Sequence, residues 1–452
     1  MKIHFISIGG AAMHNLAIAL HKRGYEISGS DDEIFDPAKK RLARFGLLPS
    51  KTGWQPEKIT QDLDAVIIGM HAKANNPELL KARDLKIRIY SMPEFIYEQT
   101  KNKLRVVIGG SHGKTTITSI IMHVLKQNNI AFDYLVGTML EDFDTMAGLS
   151  DDAKIAVLEG DEYLSSPVDR RPKFHVYKPD IGLISGIAWD HINVFPTIKN
   201  YIKQFEEFIQ IIPLKGTLIY CEEDETVRKL VKKQERAIET IAYGTHKHEV
   251  IEEKTHLLTG KEKIPVQIFG IHNLQNISGA KMVCRKLGLS DHQFYAALSN
   301  FKGASKRLQL LKKNEHCNIY LDFAHSPSKL KATTAAVKKQ YPERELIACM
   351  ELHTFSSLNE NFLDQYQGTF DDADKAIVYF DPRVVRFKKL KEIKPGQVKN
   401  SFDKKDLTVV TNTEKLKEII QGIKWKNRNL LLMSSGNFSG LNFQQFADKL
   451  ID

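Results

Sequence analysis

The sequence predicts an α/β protein of three domains: a Rossmann-like domain at the N-terminus, a central domain of the phosphate-loop ATPase type, and a second Rossmann-like domain at the C-terminus. Three observations predict it. Each segment opens on an apolar strand. Two of these strands run into a glycine turn and then into apolar residues at helical spacing. From residue 318 onward, strands alternate with helical stretches, as in a mostly parallel sheet covered by helices. At 452 residues the chain is too long for one core. The boundaries are read as 1–102, 103–305 and 306–452.

Residues 2–8 form the first strand. Gly9-Gly10 and a helix with Met13, Leu16, Ala17 and Leu20 on one face follow it. A second strand, Tyr25 to Ser28, ends in Gly29-Ser30-Asp31-Asp32. An acidic residue thus stands about twenty positions past the glycines, as in dinucleotide-binding folds. The full G-x-G-x-x-G is absent, since Ala11 and Met13 occupy positions where the pattern wants other residues. Alone, this opening supports a phosphate or diphosphate group at Gly9–Ala12. Val66–Gly69 is a further strand, ending in the polar loop Met70-His71 to Asn76-Pro77-Glu78, and Thr100–Lys103 reads as a linker.

The central segment opens on the most specific string of the chain, Val106-Val-Ile-Gly109-Gly110-Ser111-His112-Gly113-Lys114-Thr115-Thr116, followed by Ile117, Ile120, Ile121, Val124 and Leu125. Glycines let backbone N–H groups converge on anionic oxygens, and the helix N-terminus adds partial positive charge. Lys114 can reach outer phosphates and the Thr115 hydroxyl can hold Mg²⁺. The usual loop carries a glycine where Ile108 stands, so GGSHGKTT is a shortened form. Strands at 154–158 and 181–187 come next, then a long irregular or β-rich part to about residue 270. There Gly270-Ile-His272-Asn273-Leu-Gln-Asn276 opens a helix.

Open α/β sheets bind ligands beyond the carboxyl ends of their strands. One strand of the central segment leads into Glu159-Gly-Asp161-Glu162 and another into Ala-Trp-Asp190-His191. If these strands run parallel to the phosphate-loop strand, both tips lie near Thr115. Oxygens from Thr115 and Glu159 suit Mg²⁺, which keeps several waters and shares phosphate oxygens. A neutral His191 imidazole suits a second ion. The plain alternatives are a solvated acidic loop and an Asp-His pair that satisfies itself; their co-occurrence with the phosphate loop favours chemistry.

The pattern changes again around Gly303–Arg307. Strands at 318–323, 345–350, 376–380, 407–410 and 429–433 build the third segment. Their tips carry Asp322-Phe-Ala-His325-Ser326-Pro327, Glu351-Leu-His353-Thr354 and Ser434-Ser-Gly436-Asn437, which are placed to close over a substrate.

Composition narrows the partners. The net charge is +10, from 65 Lys and Arg against 55 Asp and Glu. The basic residues are scattered, with no arginine-rich tract or aromatic-interleaved patch, so nucleic acid is not expected; acidic small molecules fit the excess. No apolar run approaches the ~18–20 residues of a membrane span. The N-terminus leads straight into a glycine turn without a signal-peptide cleavage site, so a cytosolic protein is expected. Cys221, Cys284, Cys317 and Cys349 have no paired spacing, which argues against disulfides or zinc.

Taken in order, these motifs span nearly the whole chain. They are Ile8-Gly9-Gly10 with Ser28–Asp31, Asn76-Pro77-Glu78, Gly110–Thr116, Glu159–Glu162, Asp190-His191, His272-Asn273-x-x-Asn276, Phe301-x-Gly303 with Arg307, and Asp322-x-Ala-His325-x-Pro327. The set resembles the muramyl ligase family, ATP-dependent enzymes that attach amino acids or peptides to UDP-N-acetylmuramic acid. The resemblance implies a UDP-sugar domain, an ATP domain and an acceptor domain, in that order.

It also implies roles for individual residues. Lys114, Glu159 and His191 would be catalytic, with Mg²⁺ at Thr115, Glu159 and His191. ATP would lie on Gly110, Ser111, His112, Gly113, Lys114, Thr115 and Thr116, with Asn273 and Asn276 on the adenine side and further contacts from Arg307 and Asp322. The UDP-sugar would meet Gly9, Gly10, Ala11, Ala12, Met13, Ser30, Asp31 and His71; the acceptor, His325, His353 and Ser434.

Two branches are most similar, one adding L-alanine and one recycling an L-alanyl-γ-D-glutamyl-diamino acid tripeptide. Asp169–Pro179 and Met433–Gly440 look more like the recycling branch. Three places depart from the family pattern: Ser326 replaces a second histidine, Ala11-Ala12 replaces part of the usual turn, and the usual arginine near Glu351–Ser356 is missing. The implied chemistry is an acyl phosphate formed on the muramyl carboxylate and then opened by the acceptor amine. A nicotinamide-dependent oxidoreductase would use the first βαβ unit but has no need of GKTT. A non-catalytic nucleotide-binding regulator would keep Lys114 yet could spare Glu159 and His191.

Overall fold

The computed structural model describes residues 1–70, 72–189 and 194–451. The N-terminal sheet contains β1 (Lys2–Ile6), β2 (Glu26–Ser30), β3 (Ala65–Ile68) and β4 (Ile89–Ser91), all parallel in the order β2-β1-β3-β4. β3 is apolar and buried at every position, as a strand covered on both faces must be. The first strand is shorter than its apolar run. It stops at Ile6 because Ser7 turns to φ 69°, and the amides of Ser7 and Ile8 both bond to the Ser30 carbonyl. The helix Ala11–Lys22 then starts at Gly10 with no side chain capping it.

The central sheet contains β5 (Leu104–Gly109), β6 (Phe132–Leu135), β7 (Ala147–Gly148), β8 (Ile155–Glu159), β9 (Ile181–Ile184), β10 (Thr217–Cys221) and β11 (Glu239–Tyr243). Its order is β11-β10-β9-β5-β8-β6-β7, with only the β6–β7 pairing antiparallel. β5 lies between β8 and β9, and the registers Ile108↔Glu159 and Gly109↔Ile184 bring all three tips to one end. β9 ends at Ile184, short of the expected residue 187. Beyond it Ser111 N–H bonds to the Gly186 carbonyl and Ile187 N–H to the Asp224 carboxylate, which turns the chain away from the sheet.

The stretch read as irregular or β-rich differs more. It holds two helices, Ile198–Gln210 and Glu225–Lys233. Their buried residues, Tyr201, Phe205, Phe208 and Ile209 in one and Val227, Leu230 and Val231 in the other, follow the helical period. These helices let β10 and β11 extend the parallel sheet. The β-rich expectation is met in β12 (His248–Ile251), β13 (Lys254–Thr259) and β14 (Glu262–Val266), which pair antiparallel in a separate three-stranded sheet.

The last sheet contains β15 (Gln309–Lys313), β16 (Asn318–Asp322), β17 (Glu345–Glu351), β18 (Lys375–Tyr379), β19 (Thr408–Val410) and β20 (Arg428–Met433). Its order is β15-β16-β20-β17-β18-β19, antiparallel only between β15 and β16. Alternation along each strand divides the core. Leu346, Ala348, Met350, Leu431 and Met433 pack on one face, and Ile347, Cys349, Leu430 and Leu432 on the other.

The chain packs as two compact units, one of residues 1–187, 199–244 and 279–297 and the other of 188–198, 245–278 and 298–452. All four cysteines are buried and unpaired with one another. Among the described residues no helix is long and apolar enough to cross a membrane.

Candidate active site

The phosphate loop joins the buried strand β5 to the helix Lys114–Gln127, which buries Ile117, Ile120, Ile121, Val124 and Leu125. Two glycines make the turn possible. Gly110 sits at φ 131° and Gly113, the residue preceding the helix, at φ 79°, where side chains are strained. A Cβ on Gly110 would also fall 2.1 Å from Ser185 Oγ. The neighbouring β9 tip braces the loop, since Ser185 Oγ donates to the His112 carbonyl.

Lys114 Nζ lies inside this turn, donating to the Gly110 carbonyl at 2.5 Å and to Glu162 Oε2 at 2.6 Å. Glu162 is fully buried, and its other oxygen accepts the Tyr201 hydroxyl at 2.8 Å. Burial works against the Lys114 charge, but the Glu162, Asp161 and Glu159 carboxylates outweigh it and raise the lysine above its ordinary pKa. Lys114 is therefore a committed cation, as binding phosphate requires. Tyr201 is absent from the sequence reading because its only visible signal is a helical apolar stripe.

Thr115 and Glu159 meet as expected from parallel strands. Thr115 Oγ1 donates to Glu159 Oε1 at 2.7 Å, and the Gly137 amide donates to Oε2 at 2.6 Å. A Cβ on Gly137 would stand 2.8 Å from the carboxylate, so the chain closes tightly round it. A hydroxyl and a carboxylate side by side are the hard oxygen donors that suit Mg²⁺. The residues therefore fit that ion. Asp190 and His191, like His71, lie outside the described residues. Ser111 and Thr116 are buried on the same loop and helix start, and Ser111 Oγ lies 2.9 Å from His112 Nδ1.

In the N-terminal sheet the Gly9 amide donates to Asp31 Oδ2 at 2.7 Å, and a Cβ on Gly9 would fall 2.9 Å from that oxygen. Gly10, Ala11, Ala12 and Met13 form the helix start beside it, with no side chain capping it; the Gly10 amide is held by the Ser7 carbonyl at 3.3 Å, and a helix start of this kind is where an anion binds. The Ser30 hydroxyl turns inward instead and donates to Glu78. Glu78 is fully buried; it also accepts the Gln55 amide and lies 3.3 Å from His4 Nε2. The sequence shows Asn76-Pro77-Glu78 as a motif, but not that Glu78 ties β1, β2 and the loop before residue 56 together.

Burial, with Asp32 beside it, pushes the Asp31 carboxyl up to about 6. Its unfolded value is about 3.9, so between these values the folded protein holds an extra proton, and stability falls as pH rises through that window. The expected result is that wild type loses melting temperature relative to Asp31→Asn between pH 4 and 6.5. A difference that does not change with pH would show that folding leaves the Asp31 pKa at its unfolded value.

The remaining candidates lie in the second unit. Asn273 Nδ2 donates to the Phe269 carbonyl at 2.9 Å, and Asn276 Nδ2 to Asn273 Oδ1 at 3.3 Å. Asp322, at the β16 tip, accepts the amides of Leu308 at 2.6 Å and Ala324 at 2.7 Å, and the Arg307 guanidinium stacks 4.9 Å from the Phe323 ring centre. His325 Nδ1 donates to the Phe323 carbonyl at 2.9 Å. Ser434 and His353 both converge on Glu351: Ser434 Oγ donates to its Oε2, and His353 Nδ1 lies 3.5 Å from its Oε1.

The chain matches known proteins along nearly its whole length. Family models match in sequence: the Mur ligase family catalytic domain over residues 2–103, the Mur ligase middle domain over 108–284, and the Mur ligase glutamate ligase domain over 306–436. A UDP-N-acetylmuramate–L-alanine ligase from Caldicellulosiruptor bescii is 31% identical over 393 residues, covering 83% of each chain. Among solved structures, a murein peptide ligase from Psychrobacter arcticus covers 100% of this chain and 98% of its own, at 22% identity and TM-score 0.67. A UDP-N-acetylmuramate–alanine ligase from Thermotoga maritima covers 99% of each, at 19% identity and TM-score 0.73.

Proposed function

The chain belongs to the Mur ligase family, and on that premise we propose that it joins an L-alanyl-γ-D-glutamyl-diamino acid peptide to the carboxylate of UDP-N-acetylmuramate in the cytoplasm, recycling cell-wall peptide. Members of the family are ATP-dependent ligases. The observation that carries the chemistry is the adjacency of a charged, half-buried Lys114 on the phosphate loop to the Thr115–Glu159 oxygen pair.

Residues 1–102 would hold the UDP-sugar, 103–305 ATP, and 306–452 the acceptor. The muramyl carboxylate attacks the γ-phosphate, ADP leaves, and the acceptor amine then displaces phosphate from the acyl phosphate. Phosphoryl transfer is catalysed mainly by positioning and charge. Lys114 supplies the charge on the γ-phosphate, the loop amides other than that of Ser111, which the Gly186 carbonyl holds, would orient it, and Thr115 and Glu159 are the residues that would hold Mg²⁺, which neutralises phosphate charge when bound.

The strings at 169–179 and 433–440 support the peptide acceptor. The L-alanine reading has its own support in the names of sequence relatives such as the C. bescii ligase. ADP release dependent on UDP-N-acetylmuramate, measured with the tripeptide and with L-alanine, separates the two. A pocket that hydrogen-bonds the peptide's amides and carboxylates rejects a ligand lacking them, so the tripeptide is expected to have a kcat/KM at least about a hundredfold higher. A preference for L-alanine would move the protein to the biosynthetic branch.

A further inference from the structure

The second unit contains a carboxylate–imidazole pair whose geometry exceeds what holding an acceptor requires. Glu351 ends β17 and is 1% exposed. Its Oε2 is fully engaged, accepting the Ser434 hydroxyl and, at 2.9 Å, the Phe438 amide. Its Oε1 faces His353 Nδ1 at 3.5 Å. That nitrogen is buried and makes no hydrogen bond, yet the His353 side chain is 35% exposed. The exposure therefore belongs to the opposite, Nε2 edge of the ring.

The surrounding chain holds this orientation. The amides of His353 and Thr354 both donate to Ser357 Oγ at 3.0 Å. Gly436 passes so close that a Cβ there would lie 2.9 Å from Glu351 Oε2 and 3.0 Å from the His353 ring. Lys306 is a further charged group here, its Nζ donating to the Gly436 carbonyl at 3.5 Å.

We propose that His353, oriented by Glu351, is the base that removes the proton from the bound acceptor ammonium. This rests on the ligase reading above. A carboxylate beside Nδ1 keeps the proton on that nitrogen and leaves the Nε2 lone pair outward, the tautomer a base needs. An α-ammonium has a pKa near 8, about 7.7–8.0, so at neutral pH most acceptor arrives protonated and non-nucleophilic. His353 Nε2 takes one proton and Glu351 stabilises the resulting imidazolium. The freed amine attacks the acyl carbon; the C–N bond forms as the C–O bond to phosphorus breaks, and phosphate leaves with that electron pair. The amine nitrogen's second proton passes to the departing phosphate, and the imidazolium returns its proton to water. His353 is thus assigned catalysis, and Glu351 the role of a positioning residue.

The test separates the two half-reactions. Enzyme, ATP, UDP-N-acetylmuramate and hydroxylamine yield a hydroxamate from any acyl phosphate formed, without needing the acceptor base, because hydroxylamine is unprotonated at neutral pH. Wild type, His353→Gln, Glu351→Gln and Glu351→Asp are compared for hydroxamate formation and for peptide ligation. The expected result is hydroxamate within twofold of wild type in all of them. Ligation kcat should fall by about 10² in His353→Gln, the lower end of what a general base supplies, and less in Glu351→Gln. Glu351→Asp should recover part of it.

A rise in acceptor KM with unchanged kcat would overturn the proposal and leave His353 a binding residue. Loss of hydroxamate in the variants alone would also overturn it, by placing the defect in the first half-reaction. Absence of hydroxamate from wild type would instead overturn the ligase reading, and this proposal with it.

Discussion

Lys114→Ala is expected to lower ligation kcat by at least about 10³-fold, the scale for removing a charged group that acts on a transferring phosphoryl, while UDP-N-acetylmuramate still binds. The separation follows from the fold. Lys114 serves the loop after β5, whereas the described candidate UDP-sugar residues follow β1 or stand at the end of β2, in a different sheet. The variant carries a complication of its own, because Glu162 is fully buried and loses its cation. An uncompensated buried carboxylate costs about 3–5 kcal/mol, which alone could reduce activity through unfolding.

The double variant Lys114→Ala/Glu162→Gln removes that cost. A glutamine still accepts the Tyr201 hydroxyl through its amide oxygen and leaves no charge unpaired. The pair is expected to melt near wild type, bind the UDP-sugar by calorimetry, and remain inactive. Recovery of turnover in the double variant would show that Lys114 matters only for folding, and the ATP-ligase reading would fall.

The Lys114 site also shows what could be read before the structure. Apolar runs ending in Gly110, Glu159 and the residues after Ile184 were legible because each is a buried parallel strand, and a buried parallel strand is apolar at successive positions. Placing their tips together needed only that they be neighbours, which the β8-β5-β9 order supplies. Partners set by side-chain direction were not legible. Nothing in the spacing of Glu162 distinguishes it from Asp161, yet one holds Lys114 and Tyr201 and the other pairs with Lys173 at 2.5 Å. Glu78 and His4 are 74 residues apart and meet only because β1 lies beside β3, whose following helix begins at Pro77. The stretch through residue 270 is less legible for a different reason: its two amphipathic helices, of 13 and 9 residues, alternate with short strands, so neither period runs long enough to stand out.

Glu159→Gln is expected to raise the Mg²⁺ concentration for half-maximal activity at least about tenfold and to lower kcat about 10²-fold, since a neutral amide is a far poorer ligand for a hard cation than a carboxylate. The substitution is chosen because it keeps the local structure. Glutamine has the volume of glutamate, and its amide oxygen can still accept from the Gly137 amide or from Thr115 Oγ1, the two donors Glu159 now receives at 2.6 and 2.7 Å. A melting temperature close to wild type is therefore expected, and the loss can be assigned to charge. Thr115→Ser, which keeps the hydroxyl, should leave the Mg²⁺ requirement within about twofold, while Thr115→Ala should raise it, because only the hydroxyl is a ligand. The alternative is that Glu159 merely ties the segment after β6 to the end of β8. In that case Glu159→Gln would show the wild-type Mg²⁺ curve, with any defect appearing as a lower melting temperature.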